Sequence, residues 1–347
     1  MIGRRPKISI CIPNYNYSSF IGEAIQSVLD QDLTDFEIVV VDDASTDNSA
    51  SVVASFSDER IKYFQNDNNI GRVKNINKSL LLGSGEYITL LPSDDILLPA
   101  SLKKRAAVLD SNPRVGFVYS LSSSVKIDGS VVPERRLSKE SYISSGEDEF
   151  TKLIFGNYIP VLTTMVRKEC YETLGVFSEA VTGCADWEMW LRICLNGYYT
   201  AFVAEVLTCD RKHSGNISNY HRQTNLKGMA QYRVIKTVFS NLPLGKDCLS
   251  YLEPKAVKTI ARSMLASAGV NLIREQNSLA RRNIGLAIAI DDCMILNWKA
   301  FALLIVSFLP GLHSFKKMLP NFVKKVIYRG GAKNVVGKKL RKDISAS

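Results

Sequence analysis

Two pairs of adjacent carboxylates, Asp42-Asp43 and Asp94-Asp95, are the residues of this sequence whose type and spacing best suit chemistry. The first pair closes the apolar run Phe36 to Val41. The second follows Tyr87 to Leu91 across Pro92-Ser93. Paired acids at strand ends suit a hard divalent cation, Mg²⁺ or Mn²⁺, which takes oxygen ligands and often shares them with substrate phosphates. A third strand-like run, Ile8 to Ile12, ends in Pro13-Asn14-Tyr15-Asn16, a turn that carries an aromatic. In an open parallel sheet, ligands bind at the carboxyl ends of the strands, so these three ends can line one crevice if their strands are neighbours. Acids in such places also cap helices or sit in solvent, and one pair alone would be read that way. Two pairs with an aromatic turn point to a site.

The elements that must position them alternate strand and helix patterns over the first ~130 residues, which predicts an α/β fold with a mainly parallel sheet flanked by helices. Ile21, Ile25 and Val28 repeat at helical spacing, as do Val73, Ile76 and Leu80. Phe36 to Val41 is continuously apolar, as a strand buried on both faces requires. Arg60 to Gln65, Tyr87 to Leu91 and Gly116 to Ser120 supply three more strands, and a helix follows Pro99. The rhythm then changes. Asp128-Gly129 reads as a hairpin turn, Val132 to Ser145 as a polar loop or flap, Thr163 to Arg167 and Tyr199 to Leu207 as strands, and Asp186 to Leu195 as a helix. From Thr224 onward the pattern is helical. The expected organisation is a catalytic domain over 1–223, a helical region over 224–312 and a basic amphipathic tail over 313–347.

Composition narrows the function classes. At 46% hydrophobic and 22% charged, the 347-residue chain is ordinary globular material. Its net charge of +10 is concentrated: residues 313–347 hold ten Lys/Arg and one acid, so the body is near neutral. A nucleic-acid footprint over the whole protein is therefore not expected. Seven scattered cysteines without C-x-x-C spacing argue against a disulfide framework or a zinc ribbon. The N-terminus reads as no signal peptide and the longest apolar run, Ala300 to Leu309, is about half a bilayer span, so a cytoplasmic protein is expected. No G-x-G-x-x-G follows the first strand, and neither a P-loop nor a G-x-S-x-G elbow occurs.

The segments Lys7-Ile-Ser-Ile-Cys-Ile-Pro-Asn-Tyr-Asn16, Ser27-Val-Leu-Asp-Gln31 and Phe36-Glu-Ile-Val-Val-Val-Asp-Asp-Ala-Ser-Thr-Asp47 resemble the family 2 glycosyltransferases with a GT-A fold. So do Asn69-Ile-Gly71, Asn77, Gly85-Glu-Tyr-Ile88 and Ser93-Asp-Asp95. The resemblance covers about residues 7 to 220. It implies a metal-dependent, inverting transfer from a nucleotide-diphosphate sugar. Pro13 and Tyr15 match the turn that packs on the base, and Asp43 the acid that accepts a base N–H. Asn77 falls among the nucleotide-sugar contacts. Asp95 matches the metal ligand, and Asp94 the ribose or metal contact. Asp42 matches no such contact and reads equally as a helix cap.

Cys184-Ala-Asp-Trp-Glu-Met-Trp-Leu-Arg192 resembles the family's second acidic motif, which makes Asp186 the general base for the acceptor hydroxyl, with helix N-cap as its alternative role. Arg211-Lys-His-Ser-Gly-Asn-Ile-Ser218 resembles the closing loop that brings a histidine, His213, to the metal or diphosphate; otherwise His213 is a packing residue. Arg72 and Lys74 read equally as phosphate contacts or as a solvated helix face. Ala185 and Pro92 stand where family members often carry acids, which keeps a non-catalytic nucleotide-sugar- or glycan-binding protein as an alternative. A sugar-phosphate nucleotidyltransferase is the other rival, but its Gly-rich N-terminal loop is missing.

In the tail, Phe315, Leu319, Phe322, Val326 and Ile327 alternate with lysines as an interfacial helix on an anionic leaflet would. A packed helical end is the competing reading. Together these features predict a peripheral enzyme of bacterial surface polysaccharide synthesis acting on a glycan or lipid-linked acceptor.

Overall fold

The structure, a computed structural model, describes residues 5–126, 130–132, 138–213, 226–274, 276–294 and 298–308. Its contacts divide the chain into two units, Met1–Ile217 with Ser240–Cys248, and Ser218–Phe239 with Leu249–Ser347.

The first unit is built on a ten-stranded mixed sheet. Its strands are β1 (Ile8–Asn14), β2 (Phe36–Asp42), β3 (Ile61–Gln65), β4 (Tyr87–Leu90), β5 (Ile96–Leu97), β6 (Val115–Lys126), β7 (Val131–Val132), β8 (Tyr142–Ser144), β9 (Thr164–Arg167) and β10 (Tyr199–Lys212). They lie in the order β3-β2-β1-β4-β9-β6-β10-β5. Pairing is parallel from β3 through β2 and β1 to β4 and again between β6 and β10, while β9 runs antiparallel between β4 and β6. Because β1 pairs with both β2 and β4, the chain reverses its direction of winding at β1. The crevice beyond that strand's carboxyl end is where such sheets take ligands.

The helices of this unit are α1 (Ser18–Leu29), α2 (Ser49–Ala54), α3 (Arg72–Leu82), α4 (Ser101–Ser111), α5 (Gly146–Leu153), α6 (Lys168–Leu174) and α7 (Ala185–Leu195). α1 buries Ile21, Ala24, Ile25 and Val28, a single stripe at i, i+3, i+4 and i+7. That stripe joins Ile8, Ile10, Ile12, Ile38 and Val40 in the core. All seven residues of β2 are buried, Glu37 included. Glu37 is held by Lys62 at 2.6 Å, Ser9 at 2.5 Å and the amide of Ser84 at 2.6 Å. It thereby ties β1, β2, β3 and the entry to β4 at the end of the sheet away from the paired acids. Gly85 is required there: a Cβ would meet the Ser9 nitrogen at 2.5 Å.

Three local expectations change. The strand expected over Gly116 to Ser120 extends to Lys126. Part of the expected polar loop, Tyr142–Ser144, is β8, paired antiparallel with β10. The loop after Asp94-Asp95 forms β5, which pairs antiparallel with Thr208 and Cys209 of β10. The Asp128-Gly129 turn lies outside the described residues, although β7 does pair antiparallel with Ser124 and Val125 as a hairpin there requires.

The second unit is helical: α8 (Leu226–Ser240), α9 (Glu253–Ile273), α10 (Asn277–Ile290) and α11 (Trp298–Phe308). Proline at the start of α9 costs no hydrogen bond, since the first amides of a helix are unpaired anyway. Ala256, Ile260, Ala261, Met264 and Ala268 of α9 are buried, as are Ala280, Ile284 and Ala287 of α10, and the two helices pack together. Among the described residues no helix is long and apolar enough to cross a membrane. The basic tail lies outside the described residues.

Candidate active site

Three strand ends are stitched together by side chains. Asn14, the last residue of β1, donates from Nδ2 to Asp42 at 2.7 Å. Asp42 also accepts the Ser45 amide at 2.7 Å, so its carboxylate caps the β2–α2 turn. Asn16 and Ala44 both sit in the left-handed region, with φ of 56° and 60°. Asn16 Oδ1 accepts the Thr46 amide at 2.8 Å, and its own amide donates to Ser45 Oγ at 2.8 Å. Asp47 takes the Ser18 amide at 2.8 Å, fixing the start of α1. Strained backbone at two non-glycine residues persists only where the surroundings over-determine it. Here it presents Tyr15, 44% exposed, from a rigid double loop. Ser93 Oγ donates to the Pro13 carbonyl at 2.9 Å and brings the β4 end against the β1 end.

Asp43 is buried as well. Its Oδ1 accepts Asn66 Nδ2 and the Ile70 amide, both at 2.8 Å, and its Oδ2 accepts the Gly71 amide at 3.0 Å. A carboxylate has about four acceptor positions. Three are spent on fixing the β3–α3 loop. Gly71, with φ of 91°, makes the left-handed turn into α3 that places Arg72 at the first helical position.

Asp94 and Asp95 follow the β4 end in a tight turn closed by the Asp95 amide on the Pro92 carbonyl at 3.0 Å. β5 then hooks onto β10, which sets the acids beside the last residues of that strand. The Arg211 amide donates to Asp95 Oδ1 at 2.9 Å, and Arg211 Nε donates to the Asp94 carbonyl at 3.1 Å. His213 Nε2 lies 3.0 Å from Asp94 Oδ2. Its ring stacks on Phe20 with centroids 4.9 Å apart and meets Tyr17 edge-on at 5.8 Å. Burial raises the Asp95 carboxyl well above the usual range, and Asp94 and Asp210 push the same way. Carboxylates and an imidazole are the donor set that Mg²⁺ or Mn²⁺ accepts, and a cation would relieve the repulsion between the two acids. Among the described residues no group of three such side chains is placed to hold a metal ion, so a cation here would need substrate oxygens as further ligands.

Asp186 sits in the first turn of α7. The cap residue of that helix is Cys184, which makes no side-chain cap bond, so the N-cap alternative for Asp186 does not hold. Its Oδ2 accepts Asn157 Nδ2 at 2.9 Å. Burial raises its pKa, opposed by the Trp187 amide, by the charge of Arg72 and by Asn157. Arg72 also acts on Tyr17, whose phenol is pushed up to about 12 by burial first and then by Asp94.

The expected residues fall into two groups. Pro13, Tyr15, Asp43, Asp94, Asp95 and His213 come to strand ends joined by hydrogen bonds, whereas Asp186 stands in the first turn of α7 with Asn157. Asn77 does not belong with them. Its Nδ2 donates to the Phe177 carbonyl at 2.8 Å and its Oδ1 accepts the Phe177 amide at 3.0 Å, which pins α3 to that loop. Lys74 pairs at 4.0 Å with Glu179, as a solvated helix face would. Sequence reasoning missed Asn157, which no motif or periodicity marks, and Phe20, which reads as part of the α1 pattern.

The chain is similar to known glycosyltransferases. The profile of Glycosyl transferase family 2 matches residues 9–172. The UDP-Glc:alpha-D-GlcNAc-diphosphoundecaprenol beta-1,3-glucosyltransferase WfgD of Escherichia coli is 30% identical over 186 residues, 54% of this chain and 69% of that one. Among similar relatives the matched share of the other protein runs from 36% to 83%. In fold, the chain is similar to TarS 1-349 of S. aureus in complex with UDP-GlcNAc, with a TM-score of 0.63 and 20% identity over 93% of this chain and 88% of that one. It is also similar to the mannosyltransferase PcManGT of Pyrobaculum calidifontis in complex with GDP-Man and Mn²⁺. There the TM-score is 0.54 and the identity 19%, over 90% of this chain and 88% of that one.

Proposed function

The chain belongs to the family 2 glycosyltransferases, and on that premise we propose that it moves a sugar from a nucleotide-diphosphate donor to a hydroxyl of a glycan or lipid-linked glycan, with inversion. The observation that carries this reading is the convergence of Asp94 and Asp95 with Arg211 and His213 at the end of β10, beside the β1 turn that Ser93 holds. On this reading the donor diphosphate lies by these acids and the acceptor hydroxyl by Asp186.

The residues divide the work by their chemistry. Tyr15 offers a stacking face for the base, and Asp43 its remaining acceptor position. A base without the matching N–H would leave that buried carboxylate underpaired, which selects against it. Asp95 and His213 would contribute ligands to the divalent cation, which when bound neutralises charge on the diphosphate leaving group. Arg72 adds a fixed positive charge. Asp186 accepts the acceptor's hydroxyl proton as that oxygen bonds to the anomeric carbon, the carbon–oxygen bond to the diphosphate breaks, and the nucleoside diphosphate departs with the bonding pair. WfgD's diphosphoundecaprenol-linked substrate supports a lipid-linked acceptor here. The Mn²⁺ in the PcManGT complex supports the cation.

A panel of UDP-, GDP- and dTDP-sugars, each tested for thermal stabilisation with and without Mn²⁺, checks the donor half of this reading. At least one nucleotide sugar is expected to raise the melting temperature, more so with Mn²⁺, since ligand binding stabilises the folded state by mass action. No stabilisation by any member of the panel would count against it.

A further inference from the structure

We propose that Asn157 is a positioning residue for Asp186, its side-chain amide fixing the orientation of the carboxylate that faces the acceptor. The proposal rests on the reading of Asp186 as the base. Asn157 Nδ2 donates to Asp186 Oδ2 at 2.9 Å, while Asn157 Oδ1 accepts the Ile159 amide at 3.0 Å. The two contacts leave one orientation of the amide. Turned over, it would set its carbonyl against a carboxylate and its NH₂ against an N–H.

The segment that carries Asn157 has no regular structure, yet it is locked to the helix that carries Asp186. Trp187 Nε1 donates to the Leu153 carbonyl at 2.9 Å, and Trp190 Nε1 to the Ile159 carbonyl at 3.3 Å. Both indoles are buried and both belong to α7. On its other side the segment is anchored by Tyr158, whose hydroxyl donates to the buried Glu149 at 2.6 Å. Glu149 takes Tyr119 as well, at 2.8 Å. The contact between Asn157 and Asp186 is thus held from both ends.

Four groups support the ionised Asp186: the Trp187 amide of its own helix, Arg72 from α3, Asn157 from this segment, and its own backbone amide. Arg72 acts through charge, and a bound diphosphate would share it. The bond from Asn157 is directional, and a hydrogen bond to an ionised group is stronger than one between neutral partners. It commits one acceptor position on Oδ2. Removing the bond weakens the ionised form and frees the side chain to turn.

The test uses the full chain with ¹³C-labelled aspartate, Asp186 being the resonance missing from Asp186→Asn. Two variants separate position from packing. Asn157→Ala loses both contacts, whereas Asn157→Asp keeps an acceptor for the Ile159 amide and turns the donor toward Asp186 into a like charge. The expected result is an Asp186 titration midpoint raised by about half a pH unit or more in Asn157→Ala, and further in Asn157→Asp. UDP release from UDP-glucose and UDP-N-acetylglucosamine should fall about tenfold in kcat with little change in KM, and the acid limb of its pH profile should move up with the midpoint. An Asp186 midpoint unchanged in Asn157→Asp, in protein that melts as wild type does, overturns the proposal. Failure of the base reading looks different: Asp186→Asn would then turn over as wild type does.

Discussion

Asp186 needs to be ionised to take a proton, and its surroundings work against ionisation. Burial raises its pKa above the ordinary aspartate value, with Arg72 and Asn157 opposing. For a base the sign is fixed: turnover is low where the carboxyl is protonated and rises with pH through the raised value. The rate profile is therefore expected to have an acid limb above about pH 4, and a limb at or below the ordinary value of about 3.9 would contradict the assignment. Tyr15 makes a separate prediction. Tyr15→Ala should weaken nucleotide binding about five- to tenfold, as loss of roughly 1 kcal/mol of stacking implies, while Tyr15→Phe should bind nearly as wild type. Titration calorimetry with UDP or GDP, whichever binds, measures both. At this scale the sequence was a good guide where residues end strands. Asp43, Asp94 and Asp95 follow apolar runs whose direction is readable, and the sheet brings such ends together. Asn77 shows the limit: its partner, Phe177, lies 100 residues away, and nothing local separates a ligand-binding amide from one bonded to distant backbone. Asn157 shows the converse, a useful donor in a segment without period or motif.

Among the elements, β1, β2 and β4 were legible because β-branched runs at crossover spacing leave few alternatives to a parallel sheet. β5 and β8 were not. They are two and three residues long, too short to carry a period, and they exist as strands because β10 offers an edge to pair with. β5 matters to function, since it turns the chain after Asp95 onto β10 and so brings Arg211 and His213 to the acids. The opposite end of the sheet depends on Glu37, whose pKa is lowered from 4.5 to about 2; burial raises it, and the bonds from Lys62, Ser9 and Ser84 more than reverse this. A depressed carboxylate stabilises the fold above its unfolded pKa, and that contribution is lost as pH falls from about 4.5 toward about 2. Glu37→Gln is expected to cost on the order of 2 kcal/mol at neutral pH and less near pH 3. Urea denaturation at both values measures this. An equal cost at the two pH values would show that the loss comes from packing and not from charge.

The whole molecule couples a site of converging acids to a chain whose charge is concentrated at its end. Residues 313–347 carry ten Lys/Arg against one acid, and each such residue near an anionic leaflet is worth roughly 1 kcal/mol. Replacing Lys316, Lys317, Lys324 and Lys325 by glutamate should abolish co-sedimentation with phosphatidylglycerol vesicles and leave turnover of a water-soluble acceptor unchanged. Vesicle binding equal to wild type would remove the membrane role proposed for the tail. The most direct test of the account is a paired measurement on Asp95→Asn and Asp186→Asn, with nucleotide binding followed by calorimetry with and without Mn²⁺ and sugar transfer followed by UDP or GDP release. The account predicts that Asp95→Asn loses the Mn²⁺-dependent part of binding, while Asp186→Asn binds as wild type does and transfers at least a hundredfold more slowly, the scale of a lost general base. Wild-type transfer by Asp186→Asn, or Mn²⁺-dependent binding that survives in Asp95→Asn, would contradict it.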